Sequence, residues 1–219
     1  MNRVEAVPVI IAGREGYDIQ INDREATVQD YIEAVERFIS ENSCYRARKP
    51  ELDSCYGCDS CCQERIPVTL IDAFVHGQLT MNQTIENVKH VLVEERVVDI
   101  TMGVDEKWRC RNLDSEKGIC TNYARRPLVC RTYICCPATI RARRLREEIV
   151  NSGEDELVRL WFNLRRQDGS LIIHEGLSPD PREDDYPVTP FAGATSYDQV
   201  KLKDVCSSKL WHSLTEHEE

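Results

Sequence analysis

Four cysteines fall within eight residues, Cys55, Cys58, Cys61 and Cys62, in the spacing C-x2-C-x2-C-C. Thiolates packed this closely repel one another and oxidise readily, so their grouping calls for a soft metal to share them. Residues three apart face the same side of a helix or tight turn, so Cys55, Cys58 and Cys61 can converge on one centre. Gly57 eases the backbone around it. Cys62 is expected to point elsewhere, to a second metal, or to the same one if the backbone kinks. A second group follows, Cys110, Cys120, Cys130, Cys135 and Cys136, and only Cys44 and Cys206 stand apart. All nine clustered cysteines are therefore candidate metal ligands.

The spacing narrows the choice of metal. C-x2-C-x2-C is the run of a ferredoxin-type iron–sulfur site, whose remote fourth cysteine precedes proline. Here Cys136 precedes Pro137, and Cys130 is a second candidate for the remote position. Structural zinc takes four ligands, usually as two separated pairs, and seven to nine clustered thiolates exceed one such site. An iron–sulfur cluster of the 4Fe–4S kind is the leading expectation. Zinc is the alternative, and copper(I) shares the same softness. The adjacent pair Cys135–Cys136 would form a strained ring if oxidised to itself, so ligation is its expected role.

The motif CYGCDSCC (Cys55 to Cys62), followed by Cys110 and then CTNYARRPLVCR (Cys120 to Arg131), resembles the CxxCxxCC family of zinc- or iron-chelating proteins, the YkgJ-type cysteine-cluster family. The resemblance covers about residues 50 to 136; Cys135 and Cys136 are additional to its pattern. It implies Cys55, Cys58, Cys61, Cys62, Cys110, Cys120 and Cys130 as ligands. It also implies Tyr123, Arg126, Pro127 and Arg131 as supporting residues, with Pro127 fixing the approach to the last ligand and the arginines hydrogen-bonding thiolate sulfur. One branch, flagellin lysine N-methylase, is similar in this motif, which keeps a protein-modifying enzyme as an alternative function. A zinc-stapled interaction module is another. No G-x-G-x-x-G or P-loop is present, and the lack of an S-adenosylmethionine loop weakens the methylase reading.

Composition sets the frame. The chain has 219 residues, 41% hydrophobic and 30% charged, with a net charge of −10. Lys107 to Arg146 carries eleven basic and two acidic residues, +9, leaving −19 elsewhere. That local excess can offset a tetrathiolate site of about two negative charges. A nucleic-acid patch is the competing reading, and the acidic remainder disfavours it. The short apolar run Val7 to Ala12 is not a convincing secretory signal, and no stretch is long enough to cross a membrane. A soluble cytoplasmic protein is expected, with thiols kept reduced for metal rather than built into a disulfide framework. Its partners are a metal ion or cluster and a protein partner or substrate.

The elements that must position the cysteines read as an α+β fold, helix-rich with short strands, organised around the metal. Three ranges are expected: an N-terminal hairpin and helix (1–43), the cysteine-cluster domain (44–140), and C-terminal helices with a proline-rich arm (141–219). Alternation at Val7, Val9 and Ile11, and again at Tyr17, Ile19 and Ile21, predicts a β-hairpin. Thr27 with Asp30 begins a helix to Ile39. Further expectations are a helix from Thr69 to Gly77, a helix over Asn82 to Val91, and strands over Arg96 to Met102 and Lys107 to Leu113. After them come a turn at Asp114 to Gly118, separate helices around Ile140 to Val150 and Glu154 to Arg166, a strand over Leu171 to Ile173, an extended arm over 176–193, and a last helix over Asp198 to Leu214.

Overall fold

The computed structural model describes residues 2–42, 58–77, 90–167, 174–175 and 178–216. Helices and short strands alternate in an α+β arrangement. The chain gathers into two units, one of residues 1–58, 131–149 and 196–219, the other of residues 59–130 and 150–195. These units cut across the three ranges read from sequence, because the chain returns to its N-terminal hairpin twice. Tyr17 N–H donates to Pro137 and Thr139 N–H to Tyr17 (2.9 and 3.0 Å), and Val28 N–H donates to Val200 and Leu202 N–H to Ala26 (both 2.9 Å).

In the first unit β1 (Val4–Ile11) and β2 (Arg14–Ile21) pair antiparallel from Val4↔Ile21 to Ile11↔Arg14. Their two-residue turn places both Ala12 and Gly13 at positive φ (49° and 77°), which matches the twist of a tight hairpin. Helix α1 (Val28–Glu41) has the expected capping box: the Thr27 hydroxyl accepts from Asp30 N–H, and the Asp30 carboxylate accepts from Thr27 N–H. Its inward face is Val28, Tyr31, Ile32, Ala34, Val35 and Phe38. Gly16 is required, since a Cβ there would lie 2.5 Å from the Pro137 carbonyl oxygen. Beneath the hairpin Asp18, 8% exposed, accepts from Arg141 Nε and Nη2, the Thr139 hydroxyl and Ile19 N–H.

In the second unit β3 (His90–Glu94) and β4 (Val97–Thr101) form a hairpin, and β7 (His174–Glu175) joins β3 in parallel. The free edge of β4 takes Ile66 to Val68, through Val68 N–H to Ile100 and Met102 N–H to Ile66 (3.0 and 2.9 Å). Helix α2 (Leu70–Gly77) and the later part of α4 (Ile140–Gln167) complete a core of Val68, Ala73, Val93, Ile100, Leu157 and Trp161.

Several expectations change. One continuous helix, α4, replaces the two around Ile140 to Val150 and Glu154 to Arg166. Gly153 sits inside it because a Cβ there would lie 2.7 Å from Thr69 Cβ and Cγ2, so the glycine serves close packing and does not break the helix. The stretch from Lys107 to Asn112 is no strand. Asp105 gathers the N–H groups of Lys107 and Arg109 (2.8 and 2.9 Å) into a turn that holds Trp108 at φ 61°. Leu113–Asp114 (β5) pairs with Ile119–Cys120 (β6) across the expected turn. The last helix divides into α5 (Leu202–Val205) and α6 (Ser208–Thr215), where Glu148 captures the Ser207 N–H and hydroxyl. Residues 82–89 of the helix expected over Asn82 to Val91 and the strand expected over Leu171 to Ile173 lie outside the described residues, while His90 and Val91 belong to β3. From residue 178 onward the arm is irregular apart from a 3-10 turn (Glu183–Asp185), as its prolines require.

Glu154 carries a pH signature. Burial holds its carboxyl up at about 8, against 4.5 when free, while its Oε1 accepts Ile100 N–H at 3.0 Å. The folded chain keeps the extra proton, so this contribution to stability is complete below pH 4.5, declines as pH rises, and is gone above about 8. Glu154→Gln keeps the shape and the acceptor. It is expected to gain on the order of 2 kcal/mol over the unaltered chain at pH 9 and nothing at pH 4. Urea unfolding at both pH values checks this; equal midpoints at pH 9 would exclude it.

Candidate metal centre

Separate segments of the second unit deliver the thiols. Cys61 and Cys62 lie in a 3-10 turn, Ser60–Gln63, closed by Cys62 N–H donating to the Asp59 carbonyl at 2.9 Å. Cys110 N–H donates to the Cys62 carbonyl at 2.8 Å, which ties the second cysteine group to the first. Cys120 ends β6 opposite Leu113, and Leu113 N–H returns to the Cys110 carbonyl at 2.9 Å. Cys130 lies in the short helix α3 (Leu128–Thr132). Cys110 is part of the unit's core, with Cys62 and Cys130 packed against it. Cys62, Cys110 and Cys130 therefore sit at this hydrophobic core.

Electrostatics show the thiols within reach of one another. The Cys62 thiol hydrogen-bonds to Cys61 and lowers the Cys61 thiol below its ordinary value, with Arg126 helping. Cys62 is raised by the same bond, by burial, and by Cys61, Cys110 and Cys130. Burial raises Cys110 and Cys130, and neighbouring cysteines raise them further. The expectation that Cys62 points away from Cys61 is corrected. Large sulfur atoms on a 3-10 turn meet across one peptide.

The supporting residues are placed as follows. Arg126 lies 3.8 Å over the Tyr123 ring and donates to the carbonyls of Tyr123 (3.1 Å) and Cys130 (3.4 Å), while its charge favours the thiolates of Cys61 and Cys130. Pro127 leads into α3 and is buried. Arg131 belongs to the first unit, where its guanidinium grips both Glu36 carboxylate oxygens at 2.8 Å. Asp72 is a residue the sequence reading missed. Its spacing from Thr69 repeats the Thr27–Asp30 box, and that was its signal.

Among the described cysteines, Cys58, Cys61, Cys62, Cys110, Cys120, Cys130, Cys135 and Cys206 are not in disulfides. Cys136 is disulfide-bonded. Cys55 lies outside the described residues, and Cys58 and Cys135 fall in the first unit. Among the described residues no group of three or more His, Cys, Asp or Glu side chains is arranged to hold a metal ion. The donor set fits a soft metal by its chemistry, being all sulfur, with Cys62 and Arg126 favouring the Cys61 thiolate. No helix of the described residues is long and apolar enough to cross a membrane.

Residues 54–154 match the model of the CxxCxxCC family, described as "Putative zinc- or iron-chelating domain". Neither the comparison with curated proteins nor that with solved structures found a match.

Proposed function

We propose that the CxxCxxCC domain spanning residues 54–154 makes this chain an iron- or zinc-binding protein, and that the group it holds is a 4Fe–4S cluster. The observation that carries this reading is the gathering of Cys61, Cys62, Cys110 and Cys130, from separate segments of one unit, into mutual electrostatic reach. The C-x2-C-x2-C spacing adds Cys55 and Cys58 to the ligand set, and Cys120 stands beside Cys110 as a further donor. Arg126 supplies compensating positive charge and anchors the Cys130 peptide. Bound there, a cluster supplies one-electron transfer. The chain's own part is to hold thiolates, limit water and neutralise charge. A reducing, cytoplasmic setting suits thiols held as metal ligands.

The test is anaerobic purification with an absorption spectrum and analysis for iron, zinc and labile sulfide. A brown protein with iron and sulfide in cluster stoichiometry is the expected result. A colourless protein with stoichiometric zinc would retain metal binding and overturn the cluster. A metal-free protein that binds neither ion would overturn both.

A further inference from the structure

Asp72 lies in α2 and is 3% exposed. Its Oδ2 accepts from Thr69 N–H (3.1 Å) and the Thr69 hydroxyl (3.0 Å), which caps the helix. Its Oδ1 accepts from Leu128 N–H at 2.9 Å, 56 residues along the chain. The equivalent box of α1 is built differently: the Asp30 side chain there is 26% exposed. Capping alone therefore does not require the carboxylate to be sunk. Burying a charge is expensive unless every lone pair is used, and the second oxygen of Asp72 is used on the first amide of the helix that carries Cys130.

That helix needs the help. Leu128–Thr132 has only five residues, barely more than one turn. A single turn fixes many dihedrals for few hydrogen bonds and does not persist unaided. Pro127 before it has no N–H, so Leu128 presents the leading donor. At the other end Arg126 donates to the Cys130 carbonyl at 3.4 Å. Cys130 is thus held from both sides, and one side is anchored on Thr69, against which α4 packs so closely that Gly153 has no room for a Cβ.

We infer that Asp72 is a positioning residue for the Cys130 arm of the thiol site: it fixes the start of α3, and so where the Cys130 sulfur stands, without itself touching the metal. This rests on the reading of Cys130 as a ligand. Asp72→Asn preserves shape but offers one acceptor oxygen where the carboxylate offered two, so Leu128 N–H and the Thr69 donors compete for it. Glu156→Gln is the control. Glu156 is also buried in the second unit and accepts from Thr189 N–H at 3.0 Å.

The experiment has two readouts on the full chain. In the first, metal-free protein is titrated with Co(II) and followed by sulfur-to-cobalt charge-transfer and d–d absorption. Asp72→Asn should weaken Co(II) binding by about 10- to 100-fold and shift the d–d bands, whereas Glu156→Gln should lower thermal stability with the cobalt spectrum unchanged. The second, native-state hydrogen exchange by mass spectrometry, needs no metal. A peptide covering 128–132 should exchange at least several-fold faster in Asp72→Asn, with a peptide from 140–150 unchanged. Wild-type affinity and spectrum in Asp72→Asn would overturn the inference. So would unchanged exchange at 128–132, or a variant that fails to fold even with Co(II), since Asp72 would then support the whole unit. If the unaltered chain binds no Co(II), the metal reading falls by itself, and exchange still decides whether Asp72 holds α3.

Discussion

Cys130→Ser is expected to leave the purified chain with little metal, at least a tenfold drop in content, and with a lower Tm. Apparent binding energies of about 10–16 kcal/mol, shared among four thiolates, put one ligand at roughly 3 kcal/mol, about a hundredfold in affinity. Serine is nearly the same size but offers a hard oxygen that stays protonated, so the change tests ligation with little disturbance of packing. Cys61→Ala should behave alike, since it removes a thiol whose ionisation Cys62 and Arg126 favour. Cys206→Ser is the control: its thiol is pushed up to about 12, chiefly by burial, and it lies in the first unit. Metal analysis with thermal unfolding reads all three. Full metal retention in Cys130→Ser would remove it from the ligand set, and metal loss in Cys206→Ser would show that the assay reports folding alone.

Asp18→Ala should cost the first unit about 3 kcal/mol at pH 7. Removing the carboxylate strands the Arg141 guanidinium, which donates to Asp18 through Nε and Nη2 at 2.9 and 2.6 Å and to the Ser213 carbonyl. It also frees the Thr139 hydroxyl and Ile19 N–H. Burial by itself would raise the Asp18 carboxyl. The hydrogen bonds from Arg141, Thr139 and Ile19 outweigh it and hold the group below its ordinary 3.8. Its stabilisation is therefore fully present above pH 3.8 and is lost as pH falls through the lowered value. Urea midpoints for Asp18→Ala and the unaltered chain should differ at pH 7 and approach each other as pH falls progressively below 3.8. A constant difference would mean that the loss is one of packing rather than of charge.

These residues show how unequally the sequence exposes its structure. The hairpin, α1 and α2 were legible because each is specified locally: alternation at Tyr17, Ile19 and Ile21, and caps at Thr27 and Thr69. The cysteine grouping was legible for the same reason, since spacing along a chain constrains what neighbouring sulfurs can share. The two helices expected around Ile140 to Val150 and Glu154 to Arg166 are one, and the Thr69 methyl packed against Gly153 shows why the helix runs through. Asp105 defeated the strand expected over Lys107 to Leu113 by collecting nearby N–H groups.

The sequence by itself determined the chemistry: soft sulfur donors, their family pattern and a local excess of positive charge. Tertiary structure decided which donors meet. Cys62 and Cys110 are 48 residues apart, and a backbone hydrogen bond joins them. Arg131 turned to Glu36, and Asp72 reached Leu128. Side-chain type and near-neighbour spacing are written in the chain. The partner of a buried charge is chosen by whichever distant group the packed core brings within 3 Å, and no local pattern records that choice.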